Sequence, residues 1–221
     1  MFISTDAIIL KNTPYKETSI ISRLFSKEQG KISVIFKGAK RSKNNIAGII
    51  EPGNIIGITY YNKSNLKVSK EVNLITIYYN SRKVLDNYYY TMAVISILDK
   101  LCVENIKQIY IYDLAVSVFD KLNKCEVNSN LIFIYFLIKI NKLLGFELPT
   151  NTSNHLNEDI MTIIKQFDTT IHVLDTIDSH LANKIDLINQ LKIIIYKHMK
   201  HYIIDLNDIH AVNMLKNERT S

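Results

Sequence analysis

The stretch Lys37-Gly38-Ala39-Lys40-Arg41-Ser42-Lys43-Asn44-Asn45 holds four cations in seven positions, with no acid among them. Cations at that density meet the needs of a phosphate backbone, because each neutralised phosphate releases a condensed counterion. Gly38 lets the backbone approach closely. The same residues also read as a solvated surface loop, and the segment by itself does not choose between the two. The preceding strand adds weight to the first reading. If 31–37 alternates, Lys31, Ser33, Ile35 and Lys37 share one face, and Ile32, Val34 and Phe36 share the other. In 19–26 the same alternation sets Arg23 and Phe25 beside Ser19 and Ile21. A cation next to an aromatic ring suits single-stranded nucleic acid, whose phosphates take charge and whose bases take a stacking plane. Tyr15, Phe25, Tyr60 and Tyr61 are the aromatic candidates, Tyr15 and Phe25 foremost for base stacking, and core packing competes for each. Lys31, Lys37, Lys40, Arg41 and Lys43 are expected at the phosphates, helped by Lys11 and Arg23.

To act together these residues need a frame. Residues 3–10, 19–26, 31–37, 55–61 and 66–79 are rich in Ile, Val, Thr, Tyr and Phe and read as five strands. Asn12-Thr13-Pro14 is expected to end the first. Lys27-Glu28-Gln29-Gly30 reads as a short hairpin with Gly30 at positive φ, and Glu51-Pro52-Gly53-Asn54 as a further turn. The last run is long and is expected to bend near Lys70-Glu71. Five such strands predict a small barrel with the strand count of an OB-fold, whose strands 2 and 3 form the usual oligonucleotide surface.

After Arg82 the apolar period changes. Leu85, Tyr88, Met92, Ile95 and Cys102 fall on one helical face, as do Ile111, Leu114, Ala115, Val118 and Leu122. The run 131–138 is apolar all round, which predicts a central, buried helix ending near Gly145. Residues 150–157 read as a polar loop, with further helices over 159–167, part of 173–183, and 184–204. The expected class is α+β: a five-stranded OB-fold barrel over 1–80, followed by an all-helical domain over 81–221.

Charge divides unevenly along this plan. Residues 1–80 carry 12 of the 27 Lys and Arg but 5 of the 21 Asp and Glu, a net of +7, whereas the remainder nets −1. A uniform compositional bias would load both parts alike, so the first part is the expected polyanion-binding region. With 47% apolar and 22% charged residues the chain reads as a globular protein. No apolar run reaches the roughly 20 residues of a membrane span, and the first residues lack a signal peptide's basic start, so a cytoplasmic protein is expected. Cys102 and Cys125 are expected to be reduced and buried. Glycine-rich phosphate loops and hydrolase or metalloprotease motifs are missing. His198 and His201 share a helix face, but two histidines do not make a metal site, and none is expected. No nucleophile–base pair is legible, so no catalytic residue and no enzyme activity is expected.

Asp6-Ala7-Ile8-Ile9-Leu10-Lys11, Tyr15-Lys16-Glu17-Thr18-Ser19, Leu24-Phe25-Ser26-Lys27-Glu28-Gln29-Gly30-Lys31, Lys37-Gly38-Ala39-Lys40-Arg41-Ser42-Lys43 and Glu51-Pro52 follow one another in order. This ordered set resembles the bacterial RecO family, most sharply in Lys37-Gly38-Ala39-Lys40-Arg41. Beyond it the likeness lies in layout: a helical domain with an apolar helix ending in Leu143-Leu144-Gly145-Phe146. The resemblance implies an OB-fold and a helical domain that bind single- and double-stranded DNA, anneal complementary strands and act with RecR. It also implies contact with the acidic C-terminal tail of the single-strand binding protein SSB, and help for RecA in replacing SSB within the RecF pathway of DNA repair and recombination. Many members carry a four-cysteine zinc module after that helix; here residues 147–221 contain no cysteine, so no zinc is expected. An SSB-tail pocket would need a cationic rim, for which Lys121, Lys124, Lys139 and Lys142 are candidates, although plain surface lysines account for them as well. Two other readings stay open: an RNA-binding OB-fold protein, and a non-catalytic scaffold whose basic patch meets an acidic partner.

Overall fold

The computed structural model describes residues 1–41, 45–62, 66–148, 158–176 and 185–217. Strands β1 (Phe2–Tyr15), β2 (Ser19–Ser26), β3 (Gly30–Phe36), β4 (Ile55–Tyr61) and β5 (Leu66–Thr76) close into a barrel in the order β1-β2-β3-β5-β4. A helical turn, α1 (Ile46–Ile49), lies between β3 and β4. Every pairing is antiparallel except β3 with β5, which is parallel over Ser33–Ile35 and Leu66–Val68. This is the five-stranded OB architecture expected from the strand count. Alternation fills its interior: Ala7, Ile9, Leu24, Ile32, Val34, Phe36, Ile56, Ile58 and Tyr60 form one core.

The end of the first strand differs from expectation. Asn12-Thr13-Pro14 does not end β1, which runs on to Tyr15, with Pro14 opposite Ile20. The turn is instead Lys16-Glu17-Thr18, with Lys16 in the left-handed region at φ 51. The long fifth run bends as expected. Thr59 faces Glu71 and Tyr60 faces Ser69, so Lys70 is the extra residue of a β-bulge.

The chain forms two compact units, residues 1–79 with 91–112, and residues 80–90 with 113–221. Helix α2 (Tyr79–Lys83) is followed by α3 (Leu85–Leu101) and α4 (Ile109–Lys124). Of the face expected along α3, Ile95 and the following Cys102 are buried and Met92 is half-buried, but Leu85 and Tyr88 are exposed, and Tyr90, Ala93, Val94, Ile97 and Leu98 are buried as well. In the first unit, residues after α3 add a short ladder to β3. Lys31 N–H donates to the Val103 carbonyl at 3.2 Å, Asn105 N–H donates to the Lys31 carbonyl at 2.9 Å, and Glu104 bridges Lys31 in parallel.

In the second unit α5 (Ser129–Leu143) is buried along Asn130–Ile138, as its apolar run requires. Asn128 caps its start, accepting from Asn130 N–H at 2.9 Å. At its end Gly145 takes φ 83. Phe146 N–H donates to the Asn141 carbonyl and Gly145 N–H to the Lys142 carbonyl, the two bonds of a Schellman stop. Among the described residues, helices α6 (Glu158–Phe167), α7 (Ile185–Tyr202) and α8 (His210–Asn217) belong to the same unit. Tyr135 meets Phe167 edge-on at 6.0 Å.

Gly30 has two reasons to be glycine. Its φ is +67, and an added Cβ would stand 1.9 Å from the Ile106 carbonyl oxygen. Gly30→Ala is expected to destabilise the protein by roughly 1–3 kcal/mol, read as a lower midpoint in urea unfolding followed by circular dichroism.

Candidate nucleic-acid interface

Two turns meet at one end of the barrel. The β1–β2 turn carries Lys16 and Thr18, and the segment after β3 carries Lys37-Gly38-Ala39-Lys40-Arg41. Gly38 sits at φ 70, and Arg41 N–H closes a tight turn onto the Gly38 carbonyl at 3.0 Å. Lys40 clips the two together, its backbone N–H donating to the Thr18 carbonyl at 3.0 Å and its Nζ to the Lys16 carbonyl at 3.3 Å. Between them lies a cleft of about 390 Å³ lined by Tyr15, Lys16, Ser19, Ile35, Lys37 and Arg41. The cleft therefore has three cations, one aromatic ring and an open mouth. Lys16, Lys37, Lys40 and Arg41 are exposed, and among the described residues Lys37 and Arg41 have no carboxylate partner. Lys16 stands 5.4 Å above the Tyr15 ring.

The expected residues divide by position. Lys37, Lys40 and Arg41 gather at the cleft, with Tyr15 in its wall. Lys11 is exposed on β1 opposite Arg23. Lys43 lies outside the described residues. Arg23 and Lys31 are engaged elsewhere: Arg23 makes a 2.5 Å ion pair with Asp99, and Lys31 Nζ donates to the Asp99 carbonyl at 2.8 Å. Phe25 corrects the sequence reading. It is fully buried, its ring 5.9 Å from Tyr112, and so is core rather than a stacking plane. Tyr60 is likewise buried inside the barrel, where desolvation pushes its phenol above the ordinary tyrosine range. Lys67, one of the twelve N-terminal cations, is also withdrawn from the surface. Its Nζ donates to Asn105 Oδ1 at 3.0 Å, and burial lowers its pKa against the opposing pull of Glu104.

Sequence reasoning missed Lys16 as a site residue. The signal was the Tyr15-Lys16-Glu17-Thr18 string, but placing the turn at Pro14 set Lys16 beyond it.

Comparison with known proteins decides the family. Residues 1–78 match the family described as recombination protein O N terminal, and residues 82–161 match recombination protein O C terminal, together more than half of the chain. The chain belongs to the RecO family of DNA repair proteins. It is 25% identical over 172 residues to the DNA repair protein RecO of Pelodictyon phaeoclathratiforme, covering 77% of this chain and 66% of that one. It is 30% identical over 149 residues to RecO of Chlorobium phaeobacteroides (strain DSM 266), covering 66% and 57%. With RecO of a Thermoanaerobacter species it shares 26% over 144 residues, covering 65% and 58%. The matched stretch thus spans 57–66% of the length of these relatives.

The four-thiolate zinc module of many RecO proteins does not fit this chain. It has two cysteines; burial pushes the Cys102 thiol up to about 12, so it stays neutral, while Cys125, expected to be buried, is exposed. Among the described residues no group of three or more His, Cys, Asp or Glu gathers as a metal site, and no helix is long and apolar enough to cross a membrane.

Of the four candidate rim lysines for an acidic tail, Lys124 is exposed and the other three are engaged within the chain. Lys121 is buried and paired with Asp175. Lys142 Nζ lies 2.6 Å from Asp168 Oδ2, and Lys139 Nζ donates to the Asp168 carbonyl at 2.6 Å. The hydrogen bond from Lys142 holds the Asp168 carboxyl below the usual carboxylate range, against the opposing effect of desolvation. A depressed carboxylate contributes stability above its unfolded pKa of about 3.9 and loses it as pH falls through the lower folded value. Asp168→Asn is therefore expected to lower stability at neutral pH and to flatten the acid limb of the stability–pH curve below about pH 4, as read by denaturant midpoints.

Proposed function

We propose that this protein binds the DNA backbone in the cleft between the β1–β2 turn and the segment after β3, and that it acts as a DNA repair and recombination mediator without bond chemistry of its own. The observation that carries this reading is the convergence of Lys16, Lys37 and Arg41 beside Tyr15 in one open cleft. Membership of the RecO family supports DNA as the polyanion. Cations lining a cleft neutralise phosphates without reading base edges, so binding has little sequence preference. Screening two complementary strands lowers their repulsion, and base pairing drives annealing from there. In the cytoplasm the protein would work on SSB-coated strands, with RecR and the SSB tail as partners and RecA as the beneficiary.

The salt dependence of binding to a labelled single strand tests the interface. Removing one phosphate-neutralising cation flattens the log–log slope by about 0.7. The triple variant Lys16→Ala, Lys37→Ala, Arg41→Ala is expected to flatten it by about 2 units, whereas Arg23→Ala, already paired with Asp99, leaves it unchanged. An unaltered slope in the triple variant would remove the cleft from the interface. Annealing of SSB-coated complementary strands, with and without the triple variant, tests the mediator role.

A further inference from the structure

We infer that bases of the bound strand stack on Tyr61, beside Phe2, with Lys70 reaching the adjoining phosphate, on the outer wall next to the cleft. This rests on the DNA-binding reading above and adds a base contact to its backbone contacts.

Strand register gives the path. Thr13 pairs with Ile21, Ile21 with Ile35, Ile35 with Val68, Val68 with Tyr61 and Tyr61 with Phe2, so these six residues form one row around the barrel. Ile35 lines the cleft. From it to Tyr61 is two strand spacings, about 10 Å. A single strand lying in the cleft can cross that row without leaving the wall.

The chemistry along the row changes from charge to aromatic surface. Phe2 is 53% exposed and Tyr61 39%, and their rings lie 5.3 Å apart at 54°. The bulge in β5 turns Lys70 out of the ladder and sets its Nζ 5.0 Å over the Phe2 ring. Its partner is Glu71 at 3.3 Å, with both side chains more than half exposed, and such a pair yields readily to a phosphate. One row further along, the hydroxyls of Ser4 and Thr59 lie 2.8 Å apart, within reach of sugar or phosphate oxygens. The other aromatic candidates are less well placed: Phe25 and Tyr60 are buried, and Tyr15 carries Lys16 over its ring. A pair of partly exposed rings, a re-aimed lysine and continuity with a cationic cleft together suit single-stranded nucleic acid, since every base offers a π-face whatever its sequence.

The test is anisotropy binding of a labelled oligothymidylate and of a matched strand of abasic residues, to the full chain and to Tyr61→Ala and Tyr61→Trp. Tyr61→Ala is expected to weaken the thymidylate complex roughly tenfold, to leave the abasic complex and the salt slope unchanged, and Tyr61→Trp to restore binding. A strand carrying 5-iododeoxyuridine is expected to crosslink to Tyr61 in the unsubstituted chain, which decides the matter if Tyr61→Ala folds poorly. Equal loss on both strands, no loss on either, or a crosslink that misses Tyr61 and Phe2 would overturn the stacking contact. If the slope of the cleft triple variant still flattens, backbone binding survives that failure. If it does not, both readings fall.

Discussion

Lys31 gives its backbone N–H to Val103 and takes that of Asn105, and this short ladder determines which part of the barrel can meet a ligand. An OB barrel offers the outer wall of its second and third strands, but a strand edge already paired to its own chain is closed to others. Residues 99–112 occupy the wall around the start of β3. Asp99 takes Arg23 and the Lys31 amine, Tyr112 covers Phe25, and the Ile106 carbonyl presses on Gly30 so closely that no side chain fits there. Among the described residues, what remains open is the other end of β3, where Ile35 and Lys37 lead into the Gly38 turn.

That division sorts the cations by availability rather than by number. A guanidinium held by a carboxylate brings no uncompensated charge to a phosphate, and a buried ammonium must be exposed before it can act. Arg23 is of the first kind and Lys67 of the second. The net charge of the N-terminal region overstates what a ligand can meet, whereas the local density at the two clipped turns describes it better. Asp99 has a further consequence: its second carboxylate oxygen is buried without a hydrogen-bond partner among the described residues, so the ion pair with Arg23 is its main compensation.

Much of this was legible in the sequence because strand alternation is a strong signal. Ile32, Val34 and Phe36 point into the barrel, and Lys37 points out, as a period of two requires. The apolar run in α5 and its glycine stop were equally plain. What alternation does not carry is what later packs on the outer face. Phe25 occupies an outward position and is nonetheless buried, because Tyr112, 87 positions further on, covers it. Lys16 was hidden for a different reason: proline usually closes a strand, yet Pro14 lies in β1 opposite Ile20, and the turn falls four residues later than expected. Tyr61 was visible as an aromatic, but its neighbours Phe2 and Lys70 come together only through strand register and a bulge.

The helical unit poses the same question of compensation in another form. A zinc module fixes the segment after the long apolar helix by strong, directional bonds. A chain without four thiolates has to hold α5 against α6 with weaker contacts acting together. The structure supplies several kinds at once. The Schellman stop sets the direction in which the chain leaves α5, Tyr135 meets Phe167 edge-on, and one carboxylate, Asp168, gathers Lys139 and Lys142 from successive turns of the helix. Exposed ion pairs are individually weak, so the aromatic contact and the buried Ile160, Ile163, Ile164 and Phe167 must supply most of the adhesion. The lysines then act chiefly on orientation. Two cations converging on one acid favour a single rotation of α6 against α5, a task that an apolar face, with its tolerance of sliding, performs less well.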